Sequence, residues 1–254
     1  MEIFQAVILG IVQGISEWLP ISSSGHLVLA QKLMNMSVPV AYDVMLHIGT
    51  LIPVFIIFRK DILHVFRGFL TFNKKNEGFR LGIYIIIASA ITGLIGITFL
   101  KFFESLFAGT FAVGIGLIIA AIFLFASRFF KGQRKIGWKD SVIIGLAQAL
   151  SIVPGISRSG LTISTGLIRK IDKKSVFIFS FLLSIVAVIG AQLVEYKGIE
   201  ASSVDMLPLL VGVATSAIVG YAAIKLLLRT ILSNKFHWFA LYCFVLGLIV
   251  IFVL

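Results

Sequence analysis

The chain has 254 residues, of which 59% are apolar and 13% charged, and it carries a formal net charge of +11. A single water-soluble core cannot bury that much apolar surface, whereas lipid accepts it on the outside of a helical bundle. Composition thus excludes a secreted enzyme, a disordered chain and a nucleic-acid-binding protein with an exposed basic face.

The first element is apolar over residues 3–15. Met1-Glu2-Ile3 offers no basic n-region and no small-residue cleavage site follows, so no removable signal peptide is expected. The run stops at Ser16-Glu17, Pro20 and Ser22-Ser23-Ser24-Gly25-His26, then resumes at Leu27. A bilayer crossing takes roughly 20 apolar residues, and neither half reaches that. The pair is therefore predicted as a helix–loop–helix hairpin that enters the membrane and returns. Irregular backbone survives at that depth only where protein or a wet cavity covers it. Three spanning stretches follow at about 41–58, 81–100 and 107–127. Residues 141–153 then repeat the first pattern, broken by Pro154-Gly155 and Ser157-Arg158-Ser159-Gly160, which predicts a second hairpin. The last three spans lie at about 175–194, 207–228 and 236–254. The predicted fold is an all-α integral membrane protein of six transmembrane helices plus two re-entrant helical hairpins. The one cysteine, Cys243, lies in the last apolar run, which rules out an intrachain disulfide or a thiolate cluster.

Lysine and arginine assign the sides. Of the 22, 18 lie in segments 59–80, 128–140 and 169–174 and around Lys225, Arg229 and Lys235. Lys32, Lys101 and Lys197 lie on the opposite side with Glu195, Glu200 and Asp205, and Arg158 is inside a hairpin. The positive-inside rule places the group of 18 in the cytoplasm, so the excess charge reports topology and nucleic acid drops out as a partner. Both termini then lie outside.

The chain also resembles itself. At an offset of 135 residues, Val7–Leu29 aligns with Val142–Ser164 without a gap, and nine of 23 pairs are identical, among them Gly10/Gly145, Gln13/Gln148, Ser22/Ser157, Ser24/Ser159 and Gly25/Gly160. One membrane domain, residues 1–254, thus divides into repeats of about 1–127 and 136–254, each a hairpin plus three spans. Three is odd, so the second repeat enters from the opposite face. Inverted repeats of broken helices place their loops near the midplane, where sites form.

Each loop is rich in Ser and Gly and leads into a half-helix. Ser22–Ser24 and Ser157–Ser159 are good N-cap residues, and a helix start offers N–H groups and a positive dipole end to phosphate. Gly25, Gly155 and Gly160 let backbone approach an anion closely. Ordinary turn chemistry explains Ser and Gly equally well. Arg158 is different: an arginine at membrane depth is expensive, and its fork fits phosphate oxygens in bidentate fashion. Glu17, one helical turn after Gln13, is the second anomaly. It would hold a divalent cation, act as general base, or pair with Arg158. His26 closes the first loop as a candidate acid, base or nucleophile. Asp43 and His47 would extend the pocket or anchor the next span at the interface.

Gln13-Gly-Ile-Ser-Glu17-Trp-Leu-Pro-Ile-Ser-Ser-Ser-Gly-His26 closely resembles the first signature of the undecaprenyl-diphosphate phosphatases of the bacitracin-resistance type. Pro154-Gly-Ile-Ser157-Arg158-Ser159-Gly-Leu-Thr162 resembles the second. Gln13 stands where some members have Glu, which leaves one fewer carboxylate for a metal. The resemblance implies hydrolysis of undecaprenyl diphosphate to undecaprenyl phosphate and inorganic phosphate. That reaction recycles the carrier for peptidoglycan and cell-envelope synthesis and confers bacitracin resistance. It implies catalytic roles for Glu17, Ser23, His26 and Arg158, and substrate contacts at Gln13, Ser22, Ser24, Gly25, Gly155, Ser157, Ser159, Gly160 and Thr162. A divalent cation, Mg2+ or Ca2+, is expected near Glu17. The expected partners are the lipid substrate, the bilayer of the bacterial inner membrane and a second copy in a homodimer, with the site open to the outer face. The rival reading is a polyprenyl-phosphate transporter or flippase, because broken inverted repeats are also a transporter architecture.

Overall fold

A computed structural model of the chain describes residues 2–36, 38–106, 109–195 and 205–253. Among these residues the helices are α1 (Ile3–Trp18), α2 (Ser23–Leu33), α3 (Val40–Ile57), α4 (Arg59–Thr71), α5 (Glu77–Thr98), α6 (Leu100–Leu106), α7 (Thr110–Ala126), α8 (Trp138–Leu150), α9 (Arg158–Ile168), α10 (Lys173–Glu195), α11 (Met206–Leu232) and α12 (Phe239–Val253), and there is no strand. Helices α5, α7, α10, α11 and α12, two of them lengthened by a 3-10 turn, are long and apolar enough to cross a membrane. Helix α3 makes a sixth only when joined to α4, from which it is bent by 79°. The chain is an all-α integral membrane protein. Helices α1–α2 and α8–α9 occupy the two predicted hairpins.

Helix α4 departs from the sequence reading, which treats 59–80 as a charged connection. Leu63, Phe66 and Leu70 recur at helical spacing and are all exposed. They make one apolar stripe that begins one turn after Arg59, at Leu63, and is flanked by Lys60 and Arg67. The charges that report sidedness thus sit on a helix that turns off the end of α3. Lys197 and Glu200 lie outside the described residues.

Each hairpin packs on a span of the other repeat: α1 lies against α11, and α8 against α5. Small residues permit this closeness, as in other membrane helix pairs. A Cβ at Gly10 would stand 2.6 Å from Gly212 O and 2.8 Å from Thr215 Cβ; one at Gly145 would stand 2.8 Å from Ala88 Cα. Gly10 and Gly145 are the same position of the two repeats, and both meet backbone that cannot swing aside. Gly10→Ala should therefore cost about 1–3 kcal/mol, the usual scale of overpacking. The thermal midpoint of detergent-purified protein should drop, while Gly190→Ala, with nothing within 4 Å of its Cβ, should leave it in place. Equal midpoints would refute the tight α1–α11 seam.

The two second half-helices differ. Nine of the eleven residues of α9, Ser159 to Leu167, are buried, whereas α2 buries only Leu27. Helix α9 is enclosed between α7, α8 and α10. Helix α2 leaves one side open, so its first turn, Ser23 to His26, is partly accessible while the first turn of α9 is largely closed off.

Candidate active site

Glu17 falls in the last turn of α1, and Arg158 is the first residue of α9. Each charge sits at the helix end its own dipole disfavours, a carboxylate at a C-terminus and a cation at an N-terminus. They are held there by each other: Arg158 Nη2 donates to Glu17 Oε1 at 2.5 Å. The Glu17 side chain is 1% exposed and that of Arg158 24%. Glu17 Oε2 accepts from Ser23 Oγ at 2.8 Å and from Gln13 Nε2 at 3.1 Å. Three side chains from three helices therefore converge on one carboxylate. Below it, Trp18 packs on Phe181 at 4.9 Å between ring centroids, and Phe181 packs on Phe58 and Phe177. This aromatic floor keeps water from the pair on one side. A small cavity against the pair is lined by Ser180 and Ser184 of α10 as well.

The second loop is fixed by its own bonds. Ser157 Oγ caps α9 by accepting from Gly160 N at 3.2 Å, and it meets Ser159 Oγ at 3.2 Å. Ser159 Oγ donates to Trp18 O at 3.0 Å, which ties the second loop to the end of α1. Thr162 Oγ1 donates to Arg158 O at 2.9 Å. A Cβ on Gly160 would approach Pro20 Cβ at 3.1 Å, so the two loops touch here. Gly155 has φ +88°, and a Cβ there would strike the backbone of Val113. Its glycine is required by the turn and by α7 alike.

The first loop is built differently. Ser22 stands at the N-cap of α2 with φ 71°, and its side chain caps no backbone N–H. Its hydroxyl lies 3.4 Å from that of Ser24. The sequence reading offers all three serines as caps; at Ser22 the left-handed backbone turns the side chain away. The start of α2 is thus uncapped by any side chain, and that of α9 is capped. A Cβ at Gly25 would make ordinary contacts, 3.4 Å from Val113 Cγ1 and 3.8 Å from Ser22 Oγ.

His26 is not bonded to Glu17 or Arg158. Its Nδ1 lies 2.7 Å from Ser22 O, and its Nε2 lies 2.6 Å from the Tyr242 hydroxyl of α12. Ser23 and His26, three residues apart, share a face of α2. His47 of α3 reaches the site, with Nε2 3.5 Å from Glu17 Oε2 and Nδ1 2.8 Å from Asp43 O. A carbonyl only accepts, so Nδ1 carries a proton, and attraction to Glu17 needs a second proton on Nε2 or a water between them. Asp43 instead accepts from Gln31 Nε2 at 3.0 Å. Tyr242 carries no signal in the sequence: it lies 216 residues from His26, in a run that reads as plain span.

The donor set does not fit a resident divalent cation. Both Glu17 oxygens already accept from Arg158, Ser23 and Gln13. Among the described residues no group of three or more His, Cys, Asp or Glu could hold an ion. A guanidinium already supplies the charge that such an ion would bring.

Residues 6–249 match the family described as bacitracin resistance protein BacA. A protein of Methanosphaera stadtmanae named undecaprenyl-diphosphatase is 41% identical, with 99% of this chain and 98% of that one covered. One of the same name from Carboxydothermus hydrogenoformans is 41% identical over 99% of this chain and 97% of its own. A third, from Korarchaeum cryptofilum, is 39% identical over 99% of both. With the match running through both hairpins and all the spans between them, the chain belongs to the bacitracin resistance protein BacA family.

Proposed function

We propose that the chain is a membrane phosphatase that hydrolyses undecaprenyl diphosphate to undecaprenyl phosphate and inorganic phosphate. One observation supports this most directly: Arg158 and Ser23, the first residue of a helix start that no side chain caps, are bonded to the two oxygens of one buried carboxylate. Only Nη2 of Arg158 is bonded to Glu17. The rest of its fork and the first N–H groups of α2 would take the phosphate oxygens, as helix starts and guanidinium groups do elsewhere. The prenyl tail would leave along the open side of α2 into lipid. Water attacks the terminal phosphorus, the P–O–P bridge breaks, and charge on the transferred group is neutralised by these donors. His26 Nε2 would accept the proton of that water, while Glu17 holds Arg158 and Ser23 in register. No step here is routed through a divalent cation, which the donors around Glu17 do not fit.

The product is the carrier lipid for envelope polymers, and its regeneration would support peptidoglycan synthesis and bacitracin resistance. The open hairpin is also the one that enters from the lysine-poor side, which favours a site facing outward from the cytoplasmic membrane. The test of function is phosphate release by detergent-purified protein given a prenyl diphosphate. A transporter or flippase alone would release none. Sidedness has its own test. A cysteine at Lys131 should react with an impermeant thiol reagent only in inside-out vesicles, and one at Lys101 only from outside; both positions are exposed. Cys243 is buried and adds no background. Reversed labelling would overturn the outward-facing site.

A further inference from the structure

The imidazole of His26 is bonded at both nitrogens. Ser22 O accepts only, so in the neutral ring the proton is on Nδ1 and Nε2 presents a lone pair. The Tyr242 hydroxyl, 2.6 Å away, is the donor to that lone pair. The two rings also stack, 5.8 Å apart and inclined by 18°. The next residue, Cys243, donates its thiol to Pro20 O at 3.1 Å. Two consecutive residues of α12 thus grip the first loop at two points. The equivalent half-helix α9 needs no such grip, because α7 and α10 enclose it.

We propose that Tyr242 is a positioning residue for the phosphatase reaction: its hydroxyl fixes His26 with Nε2 as the free base and covers that nitrogen until the diphosphate arrives. This rests on the reading of His26 as the proton acceptor. A bound phosphate brings oxygens that accept the tyrosine proton, so the hydroxyl is exchanged from Nε2 to the substrate and the lone pair is exposed where water must be deprotonated. No covalent bond changes in this exchange; one hydrogen bond is traded for another. Before substrate binds, a covered Nε2 does not collect a proton or react.

Tyr242→Phe keeps the stacking ring and removes only the hydroxyl. Two readouts separate positioning from scaffolding. The first is the rate at which diethyl pyrocarbonate modifies His26, followed by peptide mass in the folded detergent-solubilised protein. It should rise several-fold in the variant while modification of His64 and His237 stays unchanged. The second is steady-state hydrolysis, in which kcat should fall about tenfold, less than the loss of about a hundredfold or more expected for removing the base itself because His26 is kept, with KM nearly constant. An unchanged modification rate at His26, or an unchanged kcat, would overturn the proposal. The wild-type protein offers a check that needs no variant: the side-chain 15N spectrum of His26 should show a protonated Nδ1 and a hydrogen-bonded, unprotonated Nε2 at neutral pH. A ring protonated on Nε2 alone would overturn it as well. The modification and 15N measurements need no turnover. They stand even if phosphate release fails, and that failure would count against the phosphatase reading instead.

Discussion

Glu17→Gln should lower turnover by up to about a thousandfold, the scale of losing a preorganised electrostatic contact at the reacting group, and leave a protein that still inserts and purifies. The glutamine keeps one oxygen for Arg158, and its amide nitrogen in place of Oε2 can donate to the Ser23 hydroxyl, so the three side chains can still meet. What disappears is the negative charge that holds the guanidinium at 2.5 Å at an unfavourable helix end. Stripping the counter-charge from a fully buried ion costs about 3–5 kcal/mol. Here the penalty is smaller, because the Arg158 side chain keeps 24% of its surface exposed. A modest drop in thermal midpoint is therefore expected beside a very large loss of rate. The double variant Glu17→Gln, Arg158→Gln removes the residual charge. It should recover the midpoint and stay inactive. Near-wild-type turnover in Glu17→Gln would remove the carboxylate from the mechanism.

Much of this site is legible in the chain because it is contiguous. Gln13, Glu17 and Ser23 fall within one helix end and the loop that follows, so periodicity and loop chemistry place them together. Arg158 is marked by its own improbability at membrane depth, and a pairing with Glu17 is among the few ways to accommodate it. What sequence leaves open is set by backbone and by distant helices. Three serines in a row all look like caps, and only the φ of 71° at Ser22 decides that this start stays uncapped. Asp43 and His47 look alike as interface residues one turn apart; the approach of α3 to α1 turns His47 toward Glu17 and leaves Asp43 with Gln31. Tyr242 carries no local signal, since a tyrosine in an apolar run reads as an interfacial anchor. Helix α4 is not legible because its charges dominate the segment and its apolar stripe, Leu63, Phe66 and Leu70, is too narrow for a span. The shared glycines of the repeats are visible in sequence, but their meaning, the seams α1–α11 and α8–α5, requires the tertiary contacts.

Arg158→Lys should cost about a hundredfold or more in kcat, the usual scale for removing one donor to a developing oxyanion. Lysine keeps the positive charge and can still pair with Glu17, so the buried carboxylate is not abandoned and folded yield should stay near normal. It cannot reproduce a planar fork that gives one nitrogen to Glu17 and turns the others toward phosphate oxygens. A point charge bound to Glu17 has nothing left to orient the transferred group. The loss should therefore appear in kcat more than in KM, because the missing interaction strengthens as charge spreads over the equatorial oxygens in the transition state. Glu17→Gln removes the anchor and leaves the clamp, while Arg158→Lys keeps the anchor and removes the clamp. Both should be slow, but only the first should lower thermal stability through an unpaired cation. Wild-type turnover in Arg158→Lys would make the guanidinium a structural counter-ion, and phosphate recognition would then fall to the uncapped start of α2 alone.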